Sequence, residues 1–286
     1  MREYTDDVLH RVWRTEMEIY REIARICGAR GLRYYVGYGT ALGAVRHKGF
    51  IPWDDDMDVY MPRKDYEAFL KAAEKELPEK MGILGIGYTK GYVMPFVKIH
   101  NRNTTFVEET DQDRKYHSGI FVDVLPMDAA APTEELKKKQ YARCWRWGRA
   151  CVLSEYGKPK LPKGMSVPAR MLARAGCLVI HGVFRLLRLK PEFFYSRFLK
   201  AARQYETENE PKEYAQFGDM SVKPEYDRAE TLFPAKTVPF EDMEVRIPAD
   251  ADTYLTNLYG DYMKIPPAEK RYNHFPAVLK FEETEA

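Results

Sequence analysis

The chain has 286 residues, enough for one full α/β core plus an elaboration. Its 45 Lys and Arg nearly balance its 43 Asp and Glu, so net charge gives no nucleic-acid footprint. Cys27, Cys144, Cys151 and Cys177 show no Cys-x-x-Cys spacing, which indicates neither a zinc site nor a disulfide framework and points to a reducing cytoplasm.

The N-terminal stretch MREYTDDVLHRVW is charged and has no apolar signal region, so no export signal is expected. Over residues 5–29, Leu9, Val12, Trp13, Ile19, Tyr20, Ile23, Ile26 and Cys27 recur at approximately helical spacing, and Gly28 and Gly31 close the helix. Residues 32–36 read as a strand, Gly37-Tyr38-Gly39-Thr40 as a tight turn, and residues 41–45 as the start of a helix. Gly39 permits positive φ and close approach of a ligand. Thr40 is placed to cap the helix, whose free N–H groups make an anion site. Arg46, His47 and Lys48 follow on a loop, where phosphate contact and an ordinary basic loop are equal readings.

Asp54, Asp55, Asp56 and Asp58 then fall within five positions. A like-charge pair in contact costs about 1 kcal/mol in water and about 4 at the effective dielectric near a protein surface. A fold that concentrates such charge supplies a cation, and carboxylate oxygens suit Mg²⁺ or Mn²⁺. Met57, Val59 and Met61 alternate with Asp56, Asp58 and Tyr60, the period of a strand with one apolar face. Asp56 and Asp58 share the other face, about 6.6 Å apart along the strand, within reach of one metal. A bare Asp-x-Asp also occurs in solvated acidic turns. Here an anion site precedes it, and the pair together suits a phosphate–metal complex.

Pro62 precedes an amphipathic helix with Tyr66, Phe69, Leu70 and Ala73 facing inward. Residues 83–88, 92–99 and 104–108 read as strands separated by polar turns such as His100-Asn101-Arg102-Asn103. Lys98 closes one of these runs, as a donor contact or as a snorkelling surface lysine. Residues 120–125 are apolar on both faces apart from Asp123, so a central, doubly covered strand is expected. An ionised carboxylate there costs several kcal/mol unless compensated, most simply by the metal that meets Asp56 and Asp58. The other reading of Asp123 is a buried carboxylate bonded to backbone. Asp128 reads as a cap or turn residue.

Thr133, Glu134 and Glu135 open a helix rich in Lys, Arg and Trp that runs to about residue 155. A polar turn with Pro159, Pro162, Gly164 and Pro168 leads to residues 170–189, where Arg170, Arg174, His181, Arg185 and Arg188 fall within roughly 60° of arc. That segment carries too many charges for a transmembrane span. It is read either as an interfacial helix drawn to anionic lipid or as a buried helix with a solvated basic stripe. Residues 191–208 form a further helix, and residues 232–248 short strands and turns. Asp250 caps a helix through residue 258. YGDYM and IPPAEKRYNHFP follow, with Arg271 and His274 lining a pocket or simply capping the core. There is no internal repeat or low-complexity tract.

From the residues alone the reading is a divalent-metal, phosphate-handling enzyme. Residues 39–69, GTALGAVRHKGFIPWDDDMDVYMPRKDYEAF, resemble the signature of the LicD family, and the YGDYM…PP…R…H pattern near the C-terminus resembles it as well. These are phosphorylcholine transferases and fukutin-type ribitol-phosphate transferases within the nucleotidyltransferase superfamily. Thr40 stands where the family has Ser, which keeps the hydroxyl.

The resemblance implies an α+β fold. A mixed nucleotidyltransferase-like sheet spans 1–128, a helical subdomain 129–215, and a C-terminal segment over 216–286 returns to the active-site region. It implies Mg²⁺ or Mn²⁺ held by Asp56, Asp58 and Asp123, with Asp123 or another carboxylate of the cluster as base. Gly39, Thr40, Arg46, His47, Lys48, Lys98, Arg271 and His274 are the expected substrate contacts. The expected reaction moves phosphorylcholine from CDP-choline, or the equivalent group of another CDP-alcohol, to a hydroxyl of a cell-envelope glycan, lipid-linked glycans included, and releases CMP. No nucleic-acid partner is expected. The place of work is the cytoplasm, with peripheral contact at the inner membrane face through 170–189. Two alternatives stay open: a nucleotidylyltransferase that releases pyrophosphate from an NTP, and a non-catalytic nucleotide- or glycan-binding protein.

Overall fold

The computed structural model describes residues 4–109, 112–159, 161, 164–220 and 223–281, and Pro162 of the expected polar turn lies outside them. The first helix, α1 (Asp6–Arg30), follows the spacing of its apolar residues, and Gly31 closes it in the left-handed conformation at φ 63°. The first strand, β1 (Tyr35–Val36), is shorter than expected, because only Tyr35 and Val36 find partners across the sheet. The helix α2 (Tyr38–His47) and strand β2 (Asp58–Pro62) then frame the acidic stretch. After α3 (Arg63–Glu76) come β3 (Met81–Leu84), β4 (Val97–Asn101), β5 (Thr105–Val107) and β6 (Phe121–Ala129). His100 and Asn101, expected in a turn, extend β4. They pair with Gly82 and Met81 on one side, and His100 pairs with Phe121 on the other, which narrows the turn.

The main sheet has the order β1-β2-β6-β4-β3, with β6 at its centre. β2 runs parallel to β6, and β4 antiparallel to it. Further along β6, β7 (Glu213–Gln216) pairs with Met127, Asp128 and Ala129, and β8 (Tyr226–Arg228) extends that edge. A mixed sheet with helices packed on it is an α+β architecture, as expected from the sequence. Pro126 sits inside this central strand, where a missing N–H normally breaks a ladder. Asp123 donates its N–H toward β2, to Met57 O, so alternation points the position of residue 126 the other way. On that side β4 ends its pairing at Val124 and β7 begins at Met127, so Pro126 falls in the gap.

Asp128 is neither a cap nor a turn residue. It lies in β6 and is buried, and Arg63 grips both its oxygens through Nε at 2.8 Å and Nη2 at 2.7 Å. Pairing with Ala215 of β7 and the bonds to Arg63 override the local turn signal there.

The helical part comprises α4 (Glu134–Glu155), α5 (Val167–Leu186) and α6 (Pro191–Ala202). Thr133 caps α4 as expected, its Oγ1 accepting from the Leu136 N–H at 3.3 Å. Cys144, Phe198, Ala201 and Ala202 pack with Ala215 and Phe217 between α4, α6 and β7. The buried Gln140 ties these pieces together: it donates to Ala129 O and Ala202 O and accepts from the Ala131 N–H. By contrast, no residue of α5 is buried, which removes the reading of 170–189 as a buried helix.

The chain ends with the short helix α7 (Ala229–Leu232), the hairpin of β9 (Lys236–Phe240) and β10 (Met243–Ile247), α8 (Ala251–Tyr259) and β11 (Val278–Lys280). Asp250 caps α8 through the Thr253 N–H at 3.1 Å, as its position predicted. β11 pairs with β5, so the last residues lie back against the core. Cys27, Cys144 and Cys151 are buried, Cys177 is half-buried, and all are free thiols.

Candidate active site

Strand register builds the centre of the site. Asp58 on β2 stands opposite Asp123 on β6, and Asp123 stands opposite Lys98 on β4. Side chains at matched positions of neighbouring strands share a face, so Asp58, Asp123 and Lys98 form a row across the sheet. Asp56, two residues before Asp58, is held by His274, whose Nδ1 lies 3.1 Å from Asp56 Oδ2. Lys98 Nζ lies 3.3 Å from Asp123 Oδ1 and 3.5 Å from Glu108 Oε1, and sits over the Phe121 ring.

The charges disturb one another. Burial, then Asp56 and Asp123, holds the Asp58 carboxyl well above the usual range. Burial pushes Asp123 up to about 6, with Lys98 opposing and Glu108 and Asp56 adding. Burial also works to raise Asp56, but His274 and Lys98 outweigh it and hold Asp56 below its ordinary value. His274 would be lowered by burial, yet its bonds to Asp55 and Asp56 push it up to about 12.

An all-oxygen donor set of Asp56, Asp58 and Asp123 fits Mg²⁺ or Mn²⁺. Asp123 Oδ1 is buried and faces the Lys98 ammonium at 3.3 Å, a single cationic neighbour that leaves the carboxylate with lone pairs for a further cation. A second group, Asp54, Asp55 and His274, has ligand atoms all within 4.8 Å of one another. It suits a metal less well, because both oxygens of Asp55 are already engaged by hydrogen bonds and His274 is held as a cation. Asp55 Oδ2 accepts from Tyr4 Oη at 2.6 Å and its Oδ1 from the His274 N–H at 2.6 Å. Asp55 is a clasp joining both ends of the chain to the acidic stretch.

The turn before α2 differs from its expected form. Gly37 holds the N-cap position without a side-chain bond, and Tyr38, not Gly39, carries the positive φ, at 44°. Tyr38 keeps that conformation because its N–H donates to Tyr254 Oη at 3.2 Å and its ring stacks on Tyr60. Thr40 lies inside the helix and is buried, so it caps nothing. Its Oγ1 accepts the Asp58 N–H at 3.0 Å and so positions a carboxylate of the central row. Gly39 is needed for close approach: a Cβ there would meet Asp54 Oδ2 at 2.7 Å. The anion placed against the start of α2 is thus the protein's own carboxylate.

Arg46 and His47 belong to the last turn of α2 rather than to a loop, and Lys48 ends the helix at φ 58°. Arg46 donates to Tyr262 O at 2.7 Å, Arg271 lies over the Trp53 ring at 4.3 Å, and His47 meets the same ring edge-on. These basic groups gather around Trp53, next in sequence to the aspartates. Lys48 joins the β9–β10 turn through its carbonyl, which accepts the Glu241 N–H.

Sequence reasoning missed Glu16 and Glu108, and it counted Asp55 in the acidic cluster without its role as a clasp. Glu16 is buried on α1, with Asp56, Asp55, Asp54 and Asp123 adding to the burial that raises its carboxyl. A signal existed, since Glu16 falls on the apolar stripe between Val12 and Trp13 and Ile19 and Tyr20. Trp13 on the same stripe donates from its indole to Asp54 O at 2.8 Å. For Glu108 there was no local signal, because its partner Lys98 is reached only across strands.

Residues 31–141 match the LicD/FKTN/FKRP nucleotidyltransferase domain, a stretch that runs from before β1 into α4. The matched stretch is a LicD-type domain. The chain is 28% identical over 257 residues to the lipopolysaccharide cholinephosphotransferase LicD of Haemophilus influenzae, covering 87% of this chain and 89% of the relative. An uncharacterized protein of Rickettsia typhi is 35% identical over 125 residues, 43% of this chain and 38% of that protein. The LicD-type domain contains the whole row of Asp56, Asp58, Asp123 and Lys98, whereas His274 and Arg271 reach it from outside the matched residues.

Proposed function

We propose that this chain is a phosphotransferase that moves phosphorylcholine from CDP-choline, or the equivalent group of another CDP-alcohol, to a hydroxyl of a cell-envelope glycan. CMP is the released product. One observation carries this reading: Asp58 and Asp123 face one another in register on parallel strands, with Asp56 upstream and Lys98 on the far side. The Haemophilus relative, named for cholinephosphate transfer to lipopolysaccharide, supports the choice of substrates. The free thiols suit a reducing cytoplasm as the place of reaction.

In this reading Asp56, Asp58 and Asp123 hold Mg²⁺ or Mn²⁺, which when bound neutralises the donor's diphosphate. Thr40 keeps Asp58 aimed, and His274 does the same for Asp56. The Lys98 ammonium offers positive charge beside Asp123 as charge moves onto the departing CMP. A carboxylate of the cluster takes the proton of the attacking glycan hydroxyl. The glycan oxygen then bonds to phosphorus as the bond from phosphorus to the CMP oxygen breaks. Arg46, His47 and Arg271 around Trp53 are placed to meet further phosphate or base, and Gly39 lets that surface come close.

The test is product analysis of the purified chain with Mg²⁺ and CDP-choline, CDP-glycerol, CDP-ribitol or nucleoside triphosphates. CMP from one CDP-alcohol supports the reading. Pyrophosphate from a triphosphate overturns it in favour of nucleotidylyl transfer, and no turnover with stabilisation by nucleotide makes the chain a binding protein. Within this scheme, Thr40→Ala leaves the part-buried Asp58 N–H without its acceptor, costs about 1–3 kcal/mol of stability and frees Asp58 from its aim. The expected result is a fall in kcat/KM for the donor of about tenfold or more, at 1.36 kcal/mol per tenfold. Thr40→Ser should stay near wild type. Equal damage by Ser and Ala would remove the hydroxyl from the argument.

A further inference from the structure

The helix α5 is unlike the rest of the surface. None of its residues is buried, although its mean hydropathy reaches 1.3 over a window long enough to cross a membrane. It touches the body along one stripe. His181 Nδ1 lies 2.8 Å from Leu153 O, and Phe184 packs on Phe194 with ring centroids 4.5 Å apart. The opposite side is open: Leu172 is 77% exposed, Val179 66% and Leu186 82%. At 100° per residue these three lie within roughly 40° of one another. A contiguous apolar patch of this kind on a water-soluble surface marks an interaction site.

The charge pattern selects the partner. Residues 156–190 contain eight Lys and Arg and no Asp or Glu, while the rest of the chain has 37 basic and 43 acidic residues. Arg170, Arg174 and Arg185 on α5 and Arg188 just past its end are all exposed, and the first three share an arc of roughly 60° with His181, on the side away from Leu172, Val179 and Leu186. An apolar face backed by an arginine-bearing side, in a segment with no acidic residue, matches the hydrocarbon edge and anionic head groups of a bilayer, which the long arginine side chains can reach from the polar side. A spanning arrangement fits poorly, because it would strip His181 and Phe184 from their partners on α4 and α6.

We infer that α5 docks the protein in the plane of an anionic lipid surface, its Leu172–Val179–Leu186 side inserted and its four arginines at the head groups. This goes beyond the proposed reaction and does not depend on it. The helix also lies one short step from the acidic site. Tyr156, the residue that ends α4, donates to Gly91 O at 2.8 Å, and the neighbouring Tyr92 is buried close enough to feel the charge of Asp123. In the proposed reaction, docking through α5 would in addition hold that edge of the site near a lipid-anchored acceptor.

The test is co-sedimentation of the full chain with phosphatidylcholine vesicles with and without phosphatidylglycerol, at low and raised salt. Wild type should bind the anionic vesicles and lose binding as salt rises. The Arg170→Gln/Arg174→Gln/Arg185→Gln/Arg188→Gln and Leu172→Ser/Val179→Ser/Leu186→Ser variants should each bind about tenfold less tightly or worse, with unchanged melting temperature. Equal binding by wild type and both variants overturns the inference. So does vesicle-bound protein that resists alkaline carbonate, which would mean a spanning helix. A dimer in solution, dissolved by the leucine–valine variant and indifferent to vesicles, would assign the patch to a second copy of the chain.

Discussion

Asp58→Asn and Asp123→Asn are each expected to lower CMP release by about 10³-fold, roughly 4 kcal/mol at 1.36 kcal/mol per tenfold. Both carboxylates sit in one row with matched register, so the change to an amide removes an anionic ligand from the proposed cation site. The melting temperature without metal should stay level or rise. Burial and the neighbouring carboxylates raise both groups, so removing one charge relieves repulsion in the folded state. Asp55→Ala should behave differently. It deletes the acceptor of the Tyr4 hydroxyl and the His274 amide, so its first effect is on stability, about 1.5–3 kcal/mol for hydrogen bonds to a charged group. Near-normal turnover by Asp123→Asn, measured with saturating donor, would take Asp123 out of the site.

Asp128→Ala is expected to destabilise the fold by about 3–5 kcal/mol, because it leaves the Arg63 guanidinium buried without its bidentate partner. The side chains are 4% and 1% exposed, so water cannot take over the lost contacts. Urea denaturation gives the magnitude where the variant folds. Where it does not, Arg63→Met/Asp128→Leu should fold again and approach wild-type stability, since replacing both charges removes the desolvation cost along with the attraction. Donor turnover per folded molecule should be unaffected, as neither residue belongs to the central row. A loss below about 1 kcal/mol for Asp128→Ala would mean that the pair is far better solvated than its burial implies.

Much was legible along the chain because it depends on neighbours in sequence. The spacing of Leu9, Val12, Ile19 and Ile23 specifies α1, and Thr133 and Asp250 announce the helices they cap. The alternation from Asp56 to Met61, and the single aspartate in an apolar run at Asp123, marked both as unusual before any strand was paired. Where local signals erred, tertiary bonds had overruled them. Thr40 has the chemistry of a cap, but its hydroxyl is spent on Asp58. Asp128 has the chemistry of a turn residue, but ladder bonds and Arg63 keep it in a strand.

The sequence by itself determined which side chains are chemically out of the ordinary: the clustered aspartates, the lone Asp123, and the apolar helix with its arginines. Only the tertiary structure decided their company. Lys98 reaches Asp123 through antiparallel register, His274 reaches Asp55 and Asp56 from the far end of the chain, and α5 lies open rather than covered. The physical reason is that helix and strand periods act over a few residues, whereas strand register, chain return and burial follow from how the whole chain packs.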